Sequence, residues 1–390
     1  MHSIRGIGDK KLFKIEKAIG GMENLEAISN EKLRQLLGEK GYEQYQSIKP
    51  TGGVEYLKGL KEKGIRYIPY DDEIYPEKLK NIPDMPYGLF VKGQLPNPNR
   101  LCVAIVGARA CSPYGVEVTK RITRELVKNG IQTISGLAYG IDSICHKETI
   151  KQVGRTFAVL GCGVDICYPK CFEDVYENMV SKSGGVISNY AMGMQPLASN
   201  FPPRNRIISG LCDALIVIEA KQKSGTLITV DMALEQGKEI FVLPGRITDD
   251  LSCGCNQLIA QGARIIANLQ TLIEELLELK RAKIEVNNGV KSSEVASTIN
   301  CKNVQDEQLR MDIEGLELKN PSIGSKNISD TEERIVIKSL KGNRMDINEL
   351  YYEYRRNTGK KAIPKFLSLL REMELEYLIG QEGGVYFLRG

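Results

Sequence analysis

Cys102-Val103-Ala104-Ile105-Val106-Gly107-Ala108-Arg109, followed by Ser112-Pro113-Tyr114-Gly115 and an amphipathic stretch from Val116 to Lys128, decides the fold class. Five apolar residues without alternation mark a strand covered on both faces, and the pattern then changes to helical spacing. The same unit recurs down the chain. Further apolar runs lie at Ile131–Ile134, Phe157–Leu160, Val186–Ser188, Ala214–Ile218 and Ile240–Leu243, with a short one at Arg264–Ala267. Helical patterns such as Leu227–Gln236 fall between them. Alternating β and α elements predict an α/β fold: a doubly wound, mostly parallel sheet.

Outward from this core, residues 61–280, the organisation changes on both sides. Leu12, Ile15, Ile19, Leu33, Leu36 and Leu37 recur at helical spacing and predict a helical domain over 1–60, SAM-like or helix-hairpin-helix. Its Gly6-Ile7-Gly8 turn, with Lys10 and Lys11, either lets amides approach a phosphate or only turns between packed helices. Strands at Ile65–Pro69 and Tyr87–Val91 flank a proline-rich crossing, and Gln94-Leu95-Pro96-Asn97-Pro98-Asn99 has the turn residues of a boundary. Residues 281–328 are polar and predict a linker. Beyond it, Thr331–Leu340, Asp346–Asn357 and Ile363–Met373 form three helical patterns before a hairpin from Tyr377 to Leu388. That combination predicts a winged helix over 329–390, a module that binds DNA or protein.

Composition excludes more than it proves. With 42% hydrophobic and 26% charged residues, the 390-residue chain has a soluble protein's make-up. It has no apolar run long enough to span a membrane. The start lacks a secretory core, and Cys102, Cys162 and Cys212 sit in or beside apolar runs, so a cytoplasmic location is expected. A net charge of +4 says little about partners. Tryptophan is absent and His2 and His146 are the two histidines, which leaves little for histidine-based catalysis. The cysteines at 162, 167, 171, 253 and 255 lack a four-ligand zinc spacing, so no metal is expected. With neither a Walker A sequence nor a dinucleotide glycine fingerprint, no cofactor is expected either.

In an open parallel sheet, ligands bind beyond the carboxyl ends of the strands. After the first core strand, Gly107, Ala108 and Arg109 precede a helix whose start can hold an anion, with Arg109 as a phosphate fork. The alternative is an arginine paired with a core-edge carboxylate. After the second, Ser135 and Gly136 open a glycine turn in which Asp142 either caps the next helix or holds Arg109, and His146 is structural. Asn200-Phe201-Pro202-Pro203-Arg204-Asn205-Arg206 places an aromatic beside two arginines, a means of stacking an unpaired base and gripping a phosphate. The alternative folds one arginine back over the strand ends. Ser224, Gly225 and Thr226 form a further anion cradle at a helix start, and Pro244-Gly245 closes the next strand in the same way.

As an ordered set, Val103–Arg109, Ser135–Asp142, Ala158–Gly161, Phe201–Arg206, Glu219-Ala220, Ser224–Thr229 and Val242–Gly245 resemble the DprA/Smf family of DNA-processing proteins. The resemblance covers about 65 to 270. It implies an extended Rossmann-like fold and a homodimer formed through the core. It also implies binding and protection of single-stranded DNA and delivery of that DNA to RecA in natural transformation and homologous recombination, without an enzymatic step. By the same resemblance Gly107 and Arg109 fall at a DNA contact, Phe201 at a base-stacking position, Lys170 at another basic contact, and Leu258 and Ile259 at a dimer seam. Ala108 departs from the family's usual serine, Asn189 and Ala191 from its glutamate and proline. Ala198-Ser199-Asn200 lacks a basic residue that some members carry. Two other functions compete. Ser224-Gly225-Thr226 with Glu235 loosely resembles nucleoside-monophosphate phosphoribohydrolases, though the tandem glycines are missing. A nucleotide-sensing regulator that binds duplex through its winged helix is the other.

Overall fold

The computed structural model describes Ile4, residues 6–48, 52–287 and 331–358, and beyond them Phe366, Leu369, Leu370, Met373, 378–382 and 385–388. They divide into two compact units, Met1–Lys291 and Ser292–Gly390.

The first unit is built on nine strands: β1 (Ile65–Pro69), β2 (Gly88–Gly93), β3 (Cys102–Val106), β4 (Gln132–Ser135), β5 (Thr156–Val159), β6 (Gly184–Ser188), β7 (Ala214–Val217), β8 (Glu239–Val242) and β9 (Arg264–Ile265). Their order is β1-β2-β6-β5-β4-β3-β7-β8-β9. Strands β3 to β9 pair in parallel, whereas β1 with β2 and β2 with β6 are antiparallel. The chain winds outward from β3 through β4, β5 and β6, then returns to the other side of β3 with β7. The switch point therefore lies between β3 and β7. This is the doubly wound α/β sheet that the apolar runs predict.

The residues of β3 show why the runs are unbroken. Cys102, Ala104 and Val106 pack with Ile207, Ile208 and Leu211 on one face, while Val103 and Ile105 meet Ile122 and Leu126 on the other. The helices supplying these layers include α6 (Pro113–Lys128), α7 (Ile141–Lys151), α9 (Phe201–Leu211), α10 (Gly225–Glu235) and α11 (Asp250–Ala260). Between them the chain also forms α8 (Glu173–Asn178), and before them the one-turn α5 (Glu77–Lys80). Helix α12 (Leu269–Asn287) follows β9. Among the described residues no helix is long and apolar enough to cross a membrane.

Leu258 is buried in the core with Ile240 and Val242, and Ile259 lies half-buried against the same cluster. Leu258, expected at a dimer seam, is thus largely used within its own subunit, while Ile259 keeps part of its surface.

Helices α1 (Asp9–Ile19), α2 (Asn30–Leu37), α3 (Glu39–Ile48) and α4 (Gly52–Glu62) precede the sheet. Leu12, Ile15, Ile19, Leu33 and Leu37 form their own core, which Tyr87 joins. Asp9 fastens this layer to the sheet: its carboxylate accepts from the Tyr87 amide at 2.9 Å, Asn189 Nδ2 at 2.8 Å and Arg206 Nη2 at 2.6 Å. The pair is nearly out of water, with side-chain exposures of 11% for Arg206 and 9% for Asp9. Arg206 is therefore a domain clamp and not a phosphate contact, which corrects the expectation for it. The same contact accounts for Asn189, since a glutamate there would set a second carboxylate against Asp9.

In the second unit, α13 (Thr331–Leu340) and α14 (Ile347–Thr358) accompany a three-stranded sheet of β10 (Met345–Asp346), β11 (Ile379–Glu382) and β12 (Val385–Leu388), ordered β10-β12-β11. Val336, Leu340, Leu350, Tyr354 and Phe366 are buried together. The third helix expected over Ile363–Met373 lies mostly outside the described residues.

Candidate nucleic-acid interface

The strand-end turns differ sharply in what occupies them. At the start of α6, the Ser112 amide donates to Glu219 Oε2 at 3.0 Å and the Ser112 hydroxyl donates to the same carboxylate. Gly115 makes room for it, because a Cβ there would lie 2.5 Å from Glu219 Oε2. The positive end of the α6 dipole is thus satisfied by the protein's own buried anion. The expected phosphate at this helix start is corrected accordingly. Arg109 is left exposed, with no hydrogen bond or ion pair among the described residues.

The second turn is also closed. Asp142 Oδ2 accepts from the amides of Gly136 at 3.0 Å and Ala138 at 3.4 Å. Ser135 is fully buried and donates to the Ile105 carbonyl at 2.6 Å. Across Gly136 from Asp142 lies Arg204, 4% exposed. Its Nη1 donates to the carbonyls of Gly136, at 3.0 Å, and Val159, and its Nε donates to Asn205 Oδ1 at 3.1 Å. The guanidinium caps the carboxyl ends of β4 and β5. Burial, opposed by the Asp142 charge, lowers its pKa to about 10. Burial raises that of Asp142 despite the arginine and the amides. Ser135, Gly136 and Arg204 are consequently internal, which corrects their assignment to DNA contact, and Asp142 serves Arg204 rather than Arg109. His146 is structural as expected: its Nδ1 lies 2.7 Å from Thr156 Oγ1, and burial lowers its pKa to about 3. Gly245 is likewise engaged, its amide donating to Asn256 Oδ1 at 3.2 Å.

The α10 turn is the open one. Ser224 stands at the N-cap without a capping hydrogen bond, and its Oγ is buried without a partner. Gly225 and Thr226 follow in the first turn, where helical amides have no intrahelical acceptor. A cleft of about 480 Å³ runs from here to the end of β3, at the switch point. Gly107, Ala108 and Arg109 line it from the turn after β3, Phe201, Arg204 and Asn205 from α9, and Ser224, Gly225 and Thr226 from the start of α10. Arg204 contributes only as the clamp beneath α9.

Phe201 is half-buried, its ring lying on Gly161 and 5.7 Å from that of Tyr168 at 37°. Tyr168 is 44% exposed and Tyr139 53% exposed. Lys170, two residues after Tyr168, is exposed and does not line the cleft. Sequence reasoning did not single out the cleft-lining Lys221 or the exposed rings of Tyr139 and Tyr168. The signal for Tyr168 was an aromatic just ahead of Lys170; nothing comparable marks Lys221.

These features define a doubly wound α/β protein whose switch-point cleft joins an exposed arginine, an aromatic ring and an open helix start. Residues 66–277 match the family model described as DNA recombination-mediator protein A. The chain is 42% identical over 204 residues to the DNA processing protein DprA of Streptococcus pneumoniae, covering 52% of this chain and 72% of that one. It is 36% identical over 255 residues to DprA of Bacillus subtilis, covering 65% and 84%. The solved Streptococcus pneumoniae DNA processing protein A superposes with a TM-score of 0.60 at 34% identity, over 70% of this chain and 95% of that one. The chain belongs to the DNA recombination-mediator protein A family, whose members are DNA-processing proteins.

Proposed function

We propose that the protein binds single-stranded DNA in the cleft between β3 and β7, protects it, and passes it to RecA. The observation that carries this reading is the convergence of an exposed, unpaired Arg109, the ring of Phe201 and the open α10 start in one cleft. A flexible strand can lay a phosphate between Arg109 and the α10 amides and an unstacked base against Phe201, whereas a duplex keeps its bases stacked away. Lys170, exposed near Tyr168, extends the basic surface for the same strand.

A homodimer formed through the core, a cytoplasmic location and a winged helix over 329–390 beyond a 281–328 linker belong to the same proposal. The phosphoribohydrolase alternative finds less support. Glu235 ends α10, roughly 16 Å along the axis from Ser224 at about 1.5 Å per residue, too far to act on a group held at the helix start. The test is a gel-shift comparison of single and double strands of one sequence, with and without RecA. Preferential retention of single strands and faster RecA assembly on them is expected. Equal retention of duplex would overturn the proposal.

A further inference from the structure

A second cavity, about 740 Å³, opens at the amino ends of β3, β4 and β5, at the opposite end of the strands from the cleft. Its wall is the segment from Gln94 to Arg100, the proline-containing stretch that the sequence marks as a boundary. That wall is fixed in place. Gln132, almost fully buried, accepts from the Asn97 amide at 2.9 Å and donates to the Asn97 carbonyl at 3.0 Å. The Gln94 amide donates to the Gly184 carbonyl at 2.8 Å. Pro96 and Pro98 hold φ and present apolar rings without an N–H of their own. With Ile74, Tyr75, Leu95 and Leu211 they give the cavity an apolar lining.

Three arginines stand around this lining, and none has a carboxylate partner among the described residues. Arg66 Nη2 donates to the Gly93 carbonyl at 3.1 Å, Arg155 donates to Gln94 Oε1, and the exposed Arg100 guanidinium makes no hydrogen bond among the described residues. Neutral acceptors orient a guanidinium but leave its charge in place. The other charged groups here largely cancel: Lys78 pairs with Asp213 at 2.8 Å and Glu77 with Lys80 at 3.1 Å. That leaves Glu73 as the one unpaired lining carboxylate against three arginines. Guanidinium forks match phosphate oxygens, and a rigid apolar lining suits a flat base or sugar. The size falls in the range of small-ligand pockets.

From the three uncompensated arginines around a fixed apolar lining, we propose that this cavity binds a nucleoside phosphate unit. The unit is either a free nucleotide or one nucleotide of a strand that continues past the cleft. The strand form rests on the single-strand reading of the cleft; the free-nucleotide form does not.

The test uses the full chain, its Arg100→Ala/Arg155→Ala variant and, in parallel, Arg109→Ala. Titration with dATP reads the free nucleotide, and thymidine oligomers of about 6 and about 30 nucleotides read the strand at the scale of known single-strand sites. A free-nucleotide site predicts that the double variant loses dATP affinity by roughly tenfold or more while Arg109→Ala keeps it. A strand site predicts that the long oligomer loses a similar factor and about 1.4 from its salt slope, at about 0.7 per phosphate, while the short oligomer is unaffected. Arg100→Ala alone, at an exposed side chain without partners, gives a smaller loss in the same arm and serves if the double variant melts early. Unchanged affinity for both dATP and the long oligomer, in a variant that melts like the parent, overturns the proposal. An Arg109→Ala effect without a double-variant effect points to the cleft alone.

Discussion

Gly136 separates two accounts of the second turn, because a methyl group added there has a calculable effect. An alanine Cβ would lie 2.6 Å from Arg204 Nη2 and 2.8 Å from Asp142 Oδ2. Both side chains are buried, so neither can swing into water to make room. Overpacking of this kind costs about 1–3 kcal/mol. If the guanidinium retreats, its bond to the Gly136 carbonyl adds about 1.5–3 kcal/mol, the range for hydrogen bonds to charged groups. The sum, about 2.5–6 kcal/mol, is a large part of the about 5–15 kcal/mol that holds a protein folded. In urea, with a slope of about 3 kcal/mol/M, the midpoint of Gly136→Ala falls by roughly 0.8–2 M. Below its own transition, the variant retains most of its affinity for single strands, because Arg109 and the α10 turn are untouched. An unchanged urea midpoint combined with a collapse in DNA affinity would refute the reasoning and return Gly136 to the DNA surface.

Three further outcomes follow from the same geometry. Gly161→Ala puts a Cβ 2.9 Å from Phe201 Cδ1; the half-buried ring moves off its seat, and single-strand affinity drops while the urea midpoint shifts far less than for Gly136→Ala. Ser224→Ala removes a buried hydroxyl that makes no bond, so it escapes the usual cost of about 1 kcal/mol for losing an N-cap. Its thermal midpoint is unchanged or higher, and its phosphate-dependent affinity is lower; a clear fall in melting temperature would contradict this. His146 is held at about 3 against an ordinary 6.5, so between those values the unfolded chain takes up a proton that the folded one refuses. Its contribution is complete above about pH 6.5 and is lost as the pH falls toward 3, at up to about 1.4 kcal/mol per unit. The raised pKa of Asp142 acts in the opposite sense, favouring the folded state on acidification. Urea midpoints from pH 7 to 5 fall in the parent and flatten in His146→Gln; equal slopes would dismiss the histidine as the cause.

The sheet was legible because burial on both faces leaves an unmistakable mark: β3 is five apolar residues with each face covered by a different helix layer. Arg109 was legible as an exposed cation at a strand end, since no acidic residue lies close along the chain to absorb it. Partners far along the chain were not. Glu219 lies 107 residues from the Ser112 amide that it accepts from, and Asp9 lies 197 residues from Arg206. No local pattern announces either pairing, so the start of α6 and Arg206 were both assigned to an external phosphate. Glycines misled for a related reason. A missing side chain in the sequence does not say whether ligand or protein fills the space, and at Gly115 and Gly136 it is protein. Leu258 shows the same limit for apolar helix faces, which look alike whether they meet their own core or a second copy.

Most directly, the account depends on Arg109 being a free cation committed to a strand phosphate. Its test is the affinity of the parent and Arg109→Ala for a thymidine oligomer across a salt series. The predicted result is a loss of roughly 5- to 30-fold at low salt, from about 1–2 kcal/mol for one charge-assisted contact. With it the logarithmic salt slope becomes shallower by about 0.7, and the melting temperature does not change. Superimposable lines for the two proteins would contradict it.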